Sequence, residues 1–248
     1  MAPLPNEGPY DIIFGLVPVP SGSHEYDAYL SRPDGSGAFP TIIMVPGLRG
    51  ISPGDKEIAR LLSRHGRVVL VIDPYRGAGP ATDADDDALA RAYGRISDQR
   101  ALTDIGEARE YLVSPDVTWA DPGPSLLLGL DTGGRFALLA AAERRDVSGV
   151  VAVGAPLGGD GEGRTQVLDT LGRIGVPILG LYGADDPLIP VEDVDAAQAA
   201  APWGRFIVYE GVAHGFLDPD GPDYHPGAEA DAIARMAAFA EAVTPLTV

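Results

Sequence analysis

The chain has 248 residues, 45% of them apolar and 22% charged, enough to bury a sizeable core as a single domain. A formal net charge of −18 leaves no basic patch to replace phosphate counterions, which argues against nucleic acid and anionic membranes as partners. No segment has the apolar length of a membrane helix, Met1 to Glu7 lack the basic start and apolar core of a secretory signal, and the absence of cysteine excludes disulfides and a thiolate nucleophile, so a cytoplasmic protein is expected.

In chain order, Tyr10–Val19 and Glu25–Ser31 predict an antiparallel pair of strands around Pro20-Ser-Gly-Ser-His24. Thr41–Val45 is a continuous apolar run, the mark of a parallel strand covered on both faces, and it ends in Pro46-Gly47-Leu48-Arg49-Gly50. A helix follows over Asp55–His65, closed by Gly66. The strand Arg67–Asp73 then leads into Pro74-Tyr75-Arg76-Gly77. Asp85–Val113 reads as helix broken near Gly94, with the acidic run from Asp83 to Asp87 as its solvated start. A strand over Ser125–Leu130 precedes a helix over Gly133–Arg144, and Gly149–Val153 is a further strand. Beyond a loop over Gly154–Gly172 with room for one helical turn come strand Pro177–Tyr182, helix Val191–Ala201, strand Arg205–Tyr209 and helix Ala228–Val243. Strands alternating with helices of this length predict an α/β fold with a mostly parallel, doubly wound sheet and an antiparallel N-terminal edge.

Within that pattern, Gly129-Leu130-Asp131-Thr132-Gly133 has the form Gly-x-nucleophile-x-Gly, a tight strand-to-helix bend that displays its central side chain above the sheet. The bland reading of Asp131 is a helix N-cap. Its partners weigh against that reading: Asp186 and His214 fall just past the ends of later strands, where functional side chains of such sheets gather. Nucleophile, acid and histidine then come in the order of α/β-hydrolases. His24, His65 and His225 lie in turns or at a helix end and fit the pattern less well.

With Pro46–Gly50, Gly129–Gly134, Gly183-Ala-Asp-Asp186-Pro-Leu-Ile-Pro190 and Ala213-His214-Gly215-Phe216, the chain resembles the dienelactone hydrolase family of α/β-hydrolases along nearly its whole length. The resemblance implies an α/β-hydrolase fold without a lid domain, a small-molecule substrate that is lactone-like or bears a carboxylate, and no metal or organic cofactor. It also implies an oxyanion hole built from backbone N–H groups, at the positions of Leu48 and Thr132. Two departures stand out. The family's nucleophile is usually Cys or Ser where this chain has Asp131, and the Arg it tends to keep four residues after the histidine is here Asp218.

An aspartate at the bend is ionised at neutral pH by roughly a thousandfold and needs no base to activate it. Attack on an ester carbonyl would give a readily reversed anhydride. Attack on an epoxide or halogenated carbon gives an alkyl ester, which water activated by His214 and Asp186 can hydrolyse, as in the aspartate-nucleophile epoxide hydrolases and dehalogenases that this site resembles. Candidates for binding the substrate are Arg49, Tyr75, Arg76 and Arg135, with Arg49 first because it follows the oxyanion position. Other readings stay open: Asp131 as general base of a lyase, isomerase or cyclase, an inactive ligand-binding homologue, or an engineered Cys/Ser-to-Asp variant. A monomer or homodimer is expected.

Overall fold

The structure is a computed structural model that describes residues 5, 7–81, 83–158 and 164–246. Most of the stretch read for a secretory signal, and residues 159–163 of the loop expected over Gly154–Gly172, lie outside the described residues. No helix among the described residues is long and apolar enough to cross a membrane.

Among the described residues, eight strands form one sheet in the order β1-β2-β4-β3-β5-β6-β7-β8. β1 (Ile12–Ser21) and β2 (His24–Pro33) pair antiparallel, and β2 joins β4 (Val68–Val71) antiparallel. All further pairings are parallel, from β4 through β3 (Thr41–Val45), β5 (Ser125–Leu130), β6 (Val147–Val153) and β7 (Ile178–Gly183) to β8 (Arg205–Tyr209). This is the mostly parallel sheet with an antiparallel N-terminal edge that the sequence predicts. Every residue of β3 and β4 is buried, because helices cover both faces. One face packs against α1 (Pro53–Arg64) and α7 (Pro226–Val243), with Ile58, Leu62, Ile233 and Met236 in the core. The other packs against α3 (Asp98–Leu112), α4 (Thr132–Glu143) and α6 (Val191–Ala200), through Ile105, Phe136, Leu138 and Val194.

Helix boundaries depart from expectation where caps decide them. α1 starts at Pro53, two residues early, because Ser52 and Asp55 form a reciprocal capping box around Pro53. α7 starts at Pro226, where the His225 side chain accepts the Ala228 N–H. The expected break near Gly94 is present: Asp85–Val113 forms two helices, α2 (Asp86–Tyr93) and α3, the second restarted by the Ser97 hydroxyl on the Arg100 N–H. The single helical turn expected in the loop after β6 is α5 (Leu168–Leu171).

Candidate active site

The bend between β5 and α4 is built by close packing. A Cβ on Gly129 would lie 2.3 Å from the Gly133 carbonyl oxygen, and one on Gly133 would lie 2.1 Å from that of Val45, so both positions admit only glycine. Between them Asp131 takes φ 50°, ψ −126°, a left-handed conformation that costs a non-glycine residue about 1–3 kcal/mol. Its N–H donates to the Val153 carbonyl at 2.8 Å, which ties the strained residue to the neighbouring strand. Although Asp131 stands at the N-cap position, its side chain makes no capping bond to α4. The carboxylate instead reaches across to the loop after β3, where Oδ2 accepts the Leu48 N–H at 3.0 Å. Gly47 makes room for it, since a Cβ there would lie 2.9 Å from that oxygen.

The other oxygen, Oδ1, faces His214 Nε2 at 3.5 Å, a charge contact longer than a standard hydrogen bond. His214 Nδ1 is 2.7 Å from Asp186 Oδ2. The Asp186 carboxyl is buried and oriented by its second oxygen, which accepts the Leu188 and Ile189 N–H groups at 2.8 and 3.2 Å. The Asp131 carboxylate and then Asp186 push the His214 pKa up to about 10 against the opposing effect of burial. Such a value favours a protonated resting imidazole at neutral pH.

A cavity of about 330 Å³ opens over these groups. Leu48 and Arg49 line it; Thr132 is buried at the first position of α4, so of the two expected donors Leu48 is the one that reaches the resting carboxylate. The other substrate-binding candidates lie elsewhere. The Tyr75 hydroxyl donates to the Leu48 carbonyl at 2.5 Å, behind the loop. Arg76 pairs with Asp104 and Glu107 and stacks on Tyr26. Arg135 is completely buried, bidentate to Asp98 at 2.7 and 3.0 Å and bonded to the Thr165 carbonyl at 2.7 Å. Arg76 and Arg135 are directed away by carboxylates on α3, and of the three candidate arginines only Arg49 lines the cavity. Sequence reasoning missed Ser52, Asp55, Leu89 and Leu188 in the lining. The Ser-x-x-Asp capping signature was readable, but its proximity to the cavity depends on packing. Among the described residues no cluster of three or more His, Asp or Glu side chains could hold a metal ion.

The sequence profile of the dienelactone hydrolase family matches residues 26–244. Over 234 residues the chain is 29% identical to the Escherichia coli K12 protein named "Putative carboxymethylenebutenolidase", covering 91% of this chain and 85% of that protein. It is 28% identical over 236 residues to the carboxymethylenebutenolidase of Rhodococcus opacus, covering 92% and 87%. The crystal structure of a "Putative Dienelactone Hydrolase" from Klebsiella pneumoniae matches with a TM-score of 0.86 at 26% identity, over 92% of this chain and 98% of that one. The fold is thus the α/β-hydrolase fold, and the chain belongs to the dienelactone hydrolase family.

Proposed function

We propose that this protein is a hydrolase of small organic molecules in which Asp131 is the nucleophile, attacking a strained or halogen-bearing carbon to form an alkyl ester that His214, backed by Asp186, helps water to cleave. The observation that carries this reading is the disposition of the Asp131 carboxylate: uncapped on its own helix, with one oxygen on the Leu48 N–H and the other facing His214. The Leu48 N–H suits the oxyanion that forms on Asp131 itself when the ester is attacked, the type of donor whose loss costs about 3 kcal/mol.

The proton inventory favours an epoxide over a halide. As Asp131 bonds to the ring carbon and the ring C–O bond breaks, the alkoxide takes up a proton, and the resting site holds one on His214. Ester formation also removes the Asp131 charge, the larger of the two influences that keep His214 protonated. The neutral imidazole then accepts a proton from water, hydroxide adds to the Asp131 carbonyl carbon, and collapse frees the diol with the carboxylate and imidazolium restored. Halide departure would leave the imidazolium proton to be lost to solvent before the second step. The His214–Asp186 pair weighs against a pure binding pocket, which has no use for it.

The test is a single turnover in H₂¹⁸O with an epoxide such as styrene oxide. The expected result is label in the Asp131 carboxyl by peptide mass, and a trapped adduct in His214→Ala. A second reading, favoured by the relatives named carboxymethylenebutenolidase, is lactone hydrolysis by direct attack of water. With a lactone in place of the epoxide, that reading leaves Asp131 unlabelled and the product labelled.

A further inference from the structure

We propose that the cavity over Asp131 admits an uncharged, largely apolar molecule and turns away carboxylates, a substrate class that rests on the Asp131 reading. Its volume, about 330 Å³, is roughly twice the 150 Å³ known to accept benzene, so one ring plus a reactive group fits. Leu89 from α2, Leu130 beside the nucleophile, Val153, Leu188 on the rim and Leu217 make its walls apolar. An apolar lining with a few convergent polar groups is the usual form of a site for a small neutral ligand.

The charged groups in the lining would repel an anion. Asp55 and Asp218 stand in the same cavity as Asp131, against Arg49 and the imidazolium of His214. Burial, and to a lesser degree the Asp218 charge, push the Asp55 carboxyl above its ordinary range, so the wall at Asp55 disfavours a charged group. Carboxylates are best held by a bidentate arginine. Arg135 and Arg76, the arginines nearest in sequence to the bend and to Tyr75, are engaged by Asp98 and by Asp104 and Glu107, while Arg49 lies at the exposed edge with its Nη1 3.5 Å from the Ala84 carbonyl.

Two measurements test the proposal. The first compares kcat/KM for styrene oxide and for 3-phenylglycidate, which adds a carboxylate to the same reactive ring. Wild-type protein should favour the neutral epoxide by about a hundredfold or more, and Asp218→Arg should shift that ratio at least about tenfold toward the glycidate. Preference for the glycidate by the wild type, or a ratio unmoved in Asp218→Arg, overturns the proposal. The second reads charge preference without chemistry, by ligand-observed NMR titration of the unmodified protein with phenylacetamide, phenylacetate and 2-phenylethylammonium. Tightest binding of the amide sustains the proposal even for a protein that opens no epoxide, in which case only the Asp131 reading falls. Tightest binding of either ion, or no binding of the amide, overturns it.

Discussion

The Tyr75 hydroxyl donates to the Leu48 carbonyl oxygen at 2.5 Å, and Leu48 in turn donates its N–H to Asp131. Tyr75 is itself held: its N–H donates to Asp73 Oδ1 at 2.9 Å, while Asp73 Oδ2 accepts the Gly77 N–H at 2.6 Å. The next residue, Arg76, takes a left-handed φ of 52° and is fixed by Asp104 and Glu107. Tyr75 thus positions the Leu48 amide, the proposed oxyanion donor. In the mechanism we propose, that donor serves ester cleavage, so Tyr75→Phe should slow the second step by about tenfold to a hundredfold and leave the first nearly unchanged. Rapid-quench intact mass would then show the alkyl ester accumulating. Equal slowing of both steps would reduce Tyr75 to a packing role.

The charge on His214 makes a second expectation. A histidine pKa raised to about 10 by Asp131 and Asp186 means that the imidazole Cε1–H resonance should stay in its protonated position from pH 6 to about 9. In Asp131→Asn, with the larger of those influences removed, the titration should move down toward the ordinary value near 6.5. The sign for stability follows from linkage. The raised folded pKa contributes stability that is complete below about 6.5 and is lost as pH rises through about 10. Wild-type protein should therefore lose more stability than Asp131→Asn between pH 7 and 10 in urea unfolding, and parallel curves would contradict the charge assignment.

Much of the site was legible because short-range rules set it. The apolar runs Thr41–Val45 and Ser125–Leu130 announce buried parallel strands, and the two glycines around Asp131 announce the bend, since each depends on local backbone geometry. Asp186 and His214 could be placed from strand ends alone. The arginines could not. Arg135 meets Asp98 from 37 residues away and Arg76 meets Asp104 from 28, pairings that exist only once α3 packs beside α4 and β1. An arginine near a catalytic motif reads as a ligand for substrate until the carboxylate that engages it is seen. Leu89 escaped for a related reason, because the place of α2 beside the cavity depends on tertiary packing.

The packing around the bend sets apart glycines that look alike in sequence. Gly133→Ala brings a Cβ to 2.1 Å from backbone oxygen, which cannot move without breaking the sheet. Gly175→Ala meets nothing within 4 Å. Overpacking ordinarily costs about 1–3 kcal/mol, and a backbone clash belongs at or above the top of that range, whereas the exposed change should stay within about 0.5 kcal/mol. Chemical denaturation of the two variants checks this. A Gly133→Ala protein as stable as Gly175→Ala would mean that the bend can relax, and with it the requirement for glycine.

The pair Arg135–Asp98 fixes the loop after β6 to the start of α3, because Asp98 also accepts the Thr165 N–H at 3.0 Å and Arg164 lies 3.4 Å from the same carboxylate. Burial pushes Asp98 up, but the Arg135 guanidinium and the Thr165 N–H outweigh it and hold the carboxyl below its ordinary value. Its contribution is therefore present above about pH 4 and lost as pH falls through the depressed value. Asp98→Ala leaves a wholly buried guanidinium with its carbonyl partner but without the bidentate carboxylate, a loss of about 3 kcal/mol. Replacing both partners in Asp98→Ala/Arg135→Met removes the buried guanidinium as well and should recover part of that loss, since an apolar side chain of similar length refills the space. Urea unfolding at pH 7 of the wild type, the single and the double variant measures the coupling directly, and a double variant less stable than Asp98→Ala would show that Arg135 holds the fold through contacts other than this carboxylate.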